Sequence, residues 1–596
     1  MKNPAATPFA PSIKCFAKWA LFCALAASAF SENADRWWPL QAVPKAVVRT
    51  TRDFPEPRFA HDMLAQSMAG LAAKAVNAGS GDELVWVDTG NVDLEDWLAR
   101  WFAKHLDVKA SGTLGPWDLV DRFSQRGVIK GYILYRADTS IGDVNAYRPN
   151  MDCSVNVATS LAGLLDGIII DEALEKTARE HGLKLLVDAR GKTQAWCFET
   201  YRDQFNPRLL CTQDPRKPHV RDLAIAQKAF TLYGADEPLA TAMKWLQPLS
   251  PILGWNGGDE FKTTDLSTRF GQIQTATDWC MNLPVLMAGS EKVQHTNRLS
   301  ASAIDWNDHR SAVSFIQTDG DNVQWMEGNF FHANPDYWSN TNRGKIPFGW
   351  SSCFAQLTQL CPTAIDYALE TRTANDSILE WGGGYYYPDH FASERSDRWD
   401  LLARHAARSW ALMKKTHTRI IAFNVIQHDS ADARKAFEIF ARQTTGLLGI
   451  LVFQYYPYEG GAGKTFWVKD RTGHEIPVVT ARYALWEHSN ERARSGTPAK
   501  IAREIREAAA GKEPRYDWVI THAWSYFKKA PGPNEDAENL QPGEKGERGY
   551  TPVTWCAERL PDSIRVVAPE ELLWRIRMQH DPAETKRFMD RARASD

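Results

Sequence analysis

From about residue 80 to 190 the chain alternates short, continuous apolar runs with amphipathic stretches. The runs at 84–87, 131–135, 167–170 and 183–188 predict strands, and 94–106 and 172–181 carry apolar positions at helical spacing. Buried strands separated by amphipathic helices are the signature of a parallel sheet covered on both faces. Residues 221–245 predict two helices around Tyr233 and Gly234, and 251–255 a further buried strand that ends in a loop. A second series begins near residue 311, with strand-like runs at 312–318, 346–350, 378–379, 419–423, 449–453, 518–521 and 564–567 and helices over 397–414 and 431–444. Strands alternating with helices in this way predict a complete or incomplete (β/α) barrel, with an open doubly wound sheet as the alternative. Pro569, followed by Glu570 and Glu571, predicts the first turn of a closing helix. The fold class is therefore α/β: an N-terminal α/β domain with a mostly parallel sheet over 32–295, and a C-terminal (β/α) barrel-like domain over 300–596. The boundary falls around 288–302, and an extensive interface is expected. Residues 529–550, rich in Pro, Gly and charge, predict a mobile surface loop. There is no internal repeat.

The N-terminus changes the expected location. Lys14 and Lys18 precede an apolar stretch over 19–30 that closes on small residues, with Ala27-Ser28-Ala29 as an A-x-A cleavage site. This predicts a secretory signal peptide over 1–29 and an exported chain, periplasmic or secreted. A buried N-terminal helix is the alternative. The stretch is shorter than the roughly 20 residues a spanning helix needs, and no other segment predicts a membrane span. Cys23 lies inside the apolar stretch without the small residues a lipoprotein signal places before its cysteine, so soluble export is expected. A net charge of −3 gives no field to gather nucleic acid or anionic membrane and favours a neutral partner. Nine cysteines include Cys15 and Cys23, leaving seven, an odd number. Cys197 with Cys211 and Cys353 with Cys361 are close enough in sequence to bridge; buried free thiols are the equal alternative. Tryptophan is abundant, 24 residues in 596. Sugar C–H faces stack on indole, and large cores use it too. Most are expected in the core, with Trp255, Trp325 and Trp350, beside Gly, Asn or acidic residues at strand exits, facing a cleft.

Residues 382–388 read Gly-Gly-Gly-Tyr-Tyr-Tyr-Pro. Gly382, Gly383 and Gly384 allow positive φ and close backbone approach, and Tyr385 to Tyr387 offer flat faces with hydroxyl tips. The strand-like stretch 375–381 puts the run at a strand exit, where α/β folds build sites. With Gly382, Gly384, Tyr385, Tyr387 and Pro388 in the named positions, the run resembles the signature of the GxGYxYP family of putative glycoside hydrolases. Similar stretches include Leu253-Gly254-Trp255 with Glu260, Thr277-Asp278-Trp279 with Asn282, residues 318–325, and Ser154 to Ala158. The resemblance covers most of the chain after residue 120. It implies an N-terminal α/β domain joined to a C-terminal hydrolase domain, with a carbohydrate substrate.

Thr318-Asp319-Gly320-Asp321-Asn322 follows an apolar strand and precedes Val323-Gln324-Trp325. Two carboxylates and an amide around one glycine supply an acid/base pair or an oxygen-rich cation site. No EF-hand fits, for want of the glycine at loop position 6 and the glutamate at 12. Helix capping by the two aspartates is the bland alternative. Glycoside hydrolysis needs a proton donor and a second carboxylate about 5 to 9.5 Å away. Asp319 and Asp321 are the candidate catalytic pair. If they stand too close, the partner lies at another strand end: Asp389, Glu459 after the 454–458 run, or Glu260 and Asp278 from the first domain. Candidate substrate-binding residues are Asn322, Gln324, Trp325, Trp350, Tyr385, Tyr387, Asp389, Trp255, Glu260, Asp278 and Asn282. No cofactor is expected, and no metal ligands are assigned. Metal-dependent glycan deacetylation is the runner-up. It would draw on scattered His522 and His428-Asp429, because no His-x-x-x-His pair occurs. A non-catalytic glycan-binding protein would use the same aromatics. No Gly-x-Ser-x-Gly elbow or Walker A sequence occurs, and Lys464 after Gly460 to Gly463 reads as a surface turn.

Overall fold

The computed structural model describes residues 36–594 except 52, 141–145, 235, 291–300 and 531–534. The signal-peptide reading over 1–29 and most of the boundary around 288–302 lie outside the described residues. Among the described residues the N-terminal region has ten strands: β1 (Ala46–Thr50), β2 (Glu83–Trp86), β3 (Lys109–Leu114), β4 (Gly131–Tyr135), β5 (Gly167–Asp171), β6 (Leu185–Asp188), β7 (Leu210–Thr212), β8 (Phe230–Leu232), β9 (Pro251–Gly254) and β10 (Ile273–Thr275). They form three parallel sheets, ordered β2-β1-β3, β5-β4-β6 and β10-β9-β7-β8. The expected strands are present, divided among three sheets instead of one. Helix Arg58–Asn77 joins them. It is buried along most of its length, as a helix apolar on several faces must be, and packs on β2, β5 and the helices Ser154–Leu165 and Arg221–Ala226.

The two helices read over 221–245 around Tyr233 and Gly234 are present, with a short strand between them that the pattern did not mark. Between helices Arg221–Ala226 and Asp236–Trp245 runs β8, paired with β7. Three residues are too few to show a period, so pairing with β7 decides the conformation there.

The C-terminal region carries β11 (Ser311–Gln317), β12 (Phe348–Ser352), β13 (Asp376–Glu380), β14 (Ile420–Val425), β15 (Gly449–Gln454), β16 (Thr465–Lys469), β17 (Glu475–Thr480), β18 (Tyr483–Leu485), β19 (Ser495–Gly496), β20 (Tyr516–Thr521) and β21 (Ile564–Val566). They belong to one sheet, ordered β16-β17-β15-β14-β13-β12-β11-β20-β18-β19, with β21 on β11. Among these pairings only β16 with β17 is antiparallel. Segment 475–485 is the keystone. It pairs with β15 through β17, and then with β20 through β18, so the sheet curls until its limbs meet across this segment. The result is the barrel-like alternative. The closing helix, Pro569–His580, begins at the expected proline, with Glu570 and Glu571 in its first turn.

One core spans the two regions, and a second lies within the N-terminal region. Trp97 donates its indole N–H to the Glu327 carbonyl (2.6 Å), and Trp97 also packs edge-on against Phe331. Within the N-terminal region, Trp101 donates to Ala288 O (3.0 Å). Most of the large tryptophans are buried, including Trp38, Trp86, Trp338 and Trp518. The seven cysteines of the described chain, Cys197, Cys211, Cys353 and Cys361 among them, are free thiols. In 529–550 the described part is pinned rather than loose: Phe527 bridges to Asn539 and Glu547, and the Glu538 carboxylate accepts from the Ala499 N–H and Arg559. No helix among the described residues is long and apolar enough to cross a membrane.

Candidate active site

β11 is buried along its whole length, and its last ladder bond, Thr318 N–H to Thr521 O (3.0 Å), holds its exit beside β20. There the chain turns sharply. Asp319 takes φ +63°, the left-handed region that Asp tolerates better than most residues. Gly320 follows because a Cβ there would meet the Ser351 backbone at 2.8 Å. The aspartates are not side-chain caps of helix Val323–Gly328, whose N-cap residue, Asn322, makes no side-chain cap bond either. Asp319 Oδ2 instead accepts from the Thr318 hydroxyl (3.0 Å) and the Ala523 N–H (3.3 Å), and Asp321 Oδ2 from the Asn322 amide (3.4 Å).

The glycine run at the exit of β13 carries the chain from the barrel-like sheet onto the N-terminal region. The buried Glu380 carboxylate accepts from the Gly383 N–H (2.9 Å) and the Ala355 N–H (2.8 Å), fixing the start of the run. At Gly384, with φ +138°, a Cβ would fall 2.2 Å from Ile273 Cγ2 on β10. That contact lets Tyr385 form a two-way backbone bridge with Gln274 (2.9 and 3.1 Å), so the tyrosines extend the edge of the β10 sheet. Tyr385 then donates to Glu260 Oε1 (2.6 Å) and stacks on Trp255, ring planes 10° apart. Glu260 starts helix Glu260–Arg269, which follows β9.

These pieces enclose a cavity of about 330 Å³ at the C-terminal ends of the strands. It is lined by Asp319, Asp321, Asn322, Glu260, Tyr385 and Trp255 and by residues from later strand exits: Trp381, Asn424, Tyr458, Trp486, His522 and Trp524. Tyr458, Trp486 and His522 form a continuous stack, with centroids 4.8 and 3.6 Å apart. His522 Nδ1 bonds Ser525 Oγ (2.7 Å), and Nε2 stands 4.0 Å from Asp319 Oδ2. No lysine or arginine is among the described residues that line the cavity. Burial, reinforced by the neighbouring charges of Asp319 and Glu260, therefore pushes the Asp321 carboxyl well above the usual range. Glu260 stands at the exposed lip with its carboxyl tip turned inward. Desolvation raises its pKa, against the opposing hydrogen bond from Tyr385. Burial lowers the His522 pKa, against the pull of Asp319. Among the described residues no group of three or more His, Cys, Asp or Glu is arranged to hold a metal ion.

Several candidates lie elsewhere. Trp350 is buried on the outer side of β12, stacked on Tyr550 and bonded to Asp376 (2.8 Å), because alternation along the strand points it away from the barrel interior. Asp278 forms a buried ion pair with Lys217. Asn282 spends its amide on the backbone of Val87 (2.7 and 2.9 Å). Asp389 accepts from the Ile426 and Gln427 N–H groups, holding the loop after β14. Glu459 is paired with Arg492, and His428 with Gln454. Tyr387 stands one layer back, its hydroxyl 3.3 Å from that of Tyr385. Gln324 and Trp325 line an adjoining cavity. Trp381, Asn424 and Trp486 carried no sequence signal: Trp486 follows a three-residue strand, and Asn424 is a lone polar residue inside an apolar run.

Models of one family match three stretches of the chain. The GxGYxYP putative glycoside hydrolase C-terminal domain matches residues 310–529, the GxGYxYP N-terminal second domain 129–205 and the GxGYxYP third domain 207–288. The fold also resembles the crystal structure of a putative hydrolase from Bacteroides thetaiotaomicron VPI-5482. That likeness has a TM-score of 0.72 at 20% identity over 90% of this chain and 96% of that one. Comparison with the curated proteins finds no match.

Proposed function

Because the chain belongs to the GxGYxYP putative glycoside hydrolase family, we propose that it hydrolyses glycosidic bonds of a carbohydrate held in the cavity at the ends of β11, β13, β15, β18 and β20. One observation carries this reading: Asp319, Asp321 and Glu260 open onto a single aromatic-walled cavity with no lysine or arginine among the described residues that line it. Glycoside cleavage needs one carboxyl that keeps its proton for the leaving oxygen and a second carboxylate at the reacting carbon. Asp321, buried and repelled by two neighbouring acids, is suited to the first role. Asp319, half-buried and held by Thr318 and Ala523, takes the second. Glu260 and Tyr385 orient the sugar from the N-terminal side, while Trp255, Trp486 and Trp524 offer stacking faces. We place the protein outside the cytoplasm on the Lys14, Lys18 and 19–30 pattern. The mass of the mature N-terminus checks this.

The test is a screen of the purified protein and its Asp319→Asn and Asp321→Asn variants against a glycan panel, with and without chelator. Each variant should lose turnover by about 10²–10⁴-fold while keeping fold and glycan affinity, because the amide keeps the shape but cannot act as acid, base or nucleophile. Undiminished turnover, or unfolding of both variants, contradicts the assignment. Chelator-sensitive acetate release would make the protein a deacetylase, and binding without product a glycan-binding protein.

A further inference from the structure

Beside the first cavity lies a second of about 610 Å³, walled by Trp279, Trp325, Gln324, Glu327, Asn91 and Met281 among others. Asn322 and Trp524 line both chambers, so the two share a wall, and each is of ligand size. Trp279 stands out. Indoles this large are normally covered, yet it is 50% exposed at the chamber. It is held in place from the protein side, with Lys217 Nζ 4.1 Å from its ring centroid and the His219 ring at 4.9 Å. The lysine that steadies it is itself paired with Asp278. An exposed indole fixed by neighbours is a preformed stacking platform, which costs little ordering when a ring lands on it. Around it are groups that hydrogen-bond sugar hydroxyls without demanding charge. The Gln324 amide donates to Asn322 Oδ1 (3.3 Å), tying the chambers together, while its Oε1 has no partner among the described residues. Burial keeps the Glu327 carboxyl well above the ordinary carboxylate range. Among the described residues, neither chamber is lined by a lysine or arginine.

We propose that the second chamber is a distal subsite for the same glycan, and that the substrate is a neutral oligosaccharide or polysaccharide spanning both chambers, with one sugar stacked on Trp279. This rests on the hydrolase reading only for the identity of the first chamber; the binding claim stands on its own geometry.

The test is calorimetric binding of neutral oligosaccharides of graded length (cello-, malto-, xylo- and manno- series) to the full chain and its Trp279→Ala and Trp279→Phe variants. At least one series should bind more tightly as the chain lengthens. Trp279→Ala should remove about tenfold of the affinity gained with length, and Trp279→Phe should restore most of it. Affinity independent of chain length, a Trp279→Ala protein that binds like the wild type, or tighter binding of an acidic series such as oligogalacturonates each overturns the proposal. Length-dependent binding without hydrolysis would uphold this subsite and sink the hydrolase reading; hydrolysis without length dependence would do the reverse.

Discussion

Gly384→Ala tests whether the glycine run exists to dock the barrel-like region on β10. The new Cβ would meet Ile273 Cγ2 at 2.2 Å and Gln356 Nε2 at 2.9 Å, at a backbone φ of +138°. The amide tip of Gln356 can move, but Ile273 is fully buried on β10 and cannot. The backbone conformation costs an L-residue about 1–3 kcal/mol, and forcing a methyl into a packed contact a further ~1–3 kcal/mol. The loss should therefore be about 2–6 kcal/mol. Gly79→Ala is the control, because Gly79 also has positive φ (+69°) yet a Cβ added there would have nothing within 4 Å. It should cost only the backbone share, about 1–2 kcal/mol. Denaturant unfolding followed by tryptophan fluorescence measures both as shifts of the midpoint. Adding Ile273→Ala should be less damaging in the Gly384→Ala background than in the wild type, a coupling of about 1–3 kcal/mol between touching residues. If Gly384→Ala costs no more than Gly79→Ala, the close approach at the junction is not what the glycine serves.

Tyr385→Phe keeps the stack on Trp255 but removes the donor to Glu260. A hydrogen bond to the charged form lowers a carboxyl pKa, so its loss should raise that of Glu260 further. Carboxyl-carbon NMR reads the shift, and an unmoved or lowered Glu260 contradicts the geometry. The pH dependence of stability is set partly by Glu380, which burial pushes up to about 8 against the N–H groups of Ala355 and Gly383, and by Asp222, raised to about 7 by burial. Both acids hold a proton in the folded chain that the unfolded chain releases near its ordinary pKa, so their contribution is lost as pH rises through those values. His219 and His405, lowered by burial to about 3, act in the opposite sense, but only below their unfolded value near 6.5. From pH 6.5 to 8 the unfolding free energy should therefore fall, by up to ~1.4 kcal/mol per pH unit for each proton. Glu380→Gln should flatten the slope; a flat or rising wild-type curve in that window refutes it.

Apolar runs long enough to show a pattern marked strands that build the site: 312–318, 449–453 and 518–521 reappear in β11, β15 and β20, and the shorter 378–379 lies within β13. Strands of three residues, such as β7 and β8, have no period to read, and β3 is a polar, largely exposed segment stabilised by pairing with β1. The same limit applies to side chains. The sequence could suggest a site at the exit of β11 but not which polar neighbours serve the backbone instead. Asn282 and Asp389 satisfy main-chain groups, Asp278 neutralises a buried lysine, and Trp350 points away from the barrel interior because of its register. Conversely, Glu260 and Tyr385 are 125 positions apart, and only the bridge between β10 and the tyrosine run brings them together.

The most direct measurement is hydrolysis in heavy-oxygen water of whichever glycan the panel singles out, with the products resolved by mass spectrometry. Cleavage of a glycosidic bond at Asp319 and Asp321 predicts one heavy oxygen at the anomeric carbon of the new reducing end, and at least about a hundredfold less of that product from Asp321→Asn. Label appearing in released acetate, or equal labelled product from Asp321→Asn, would contradict the account.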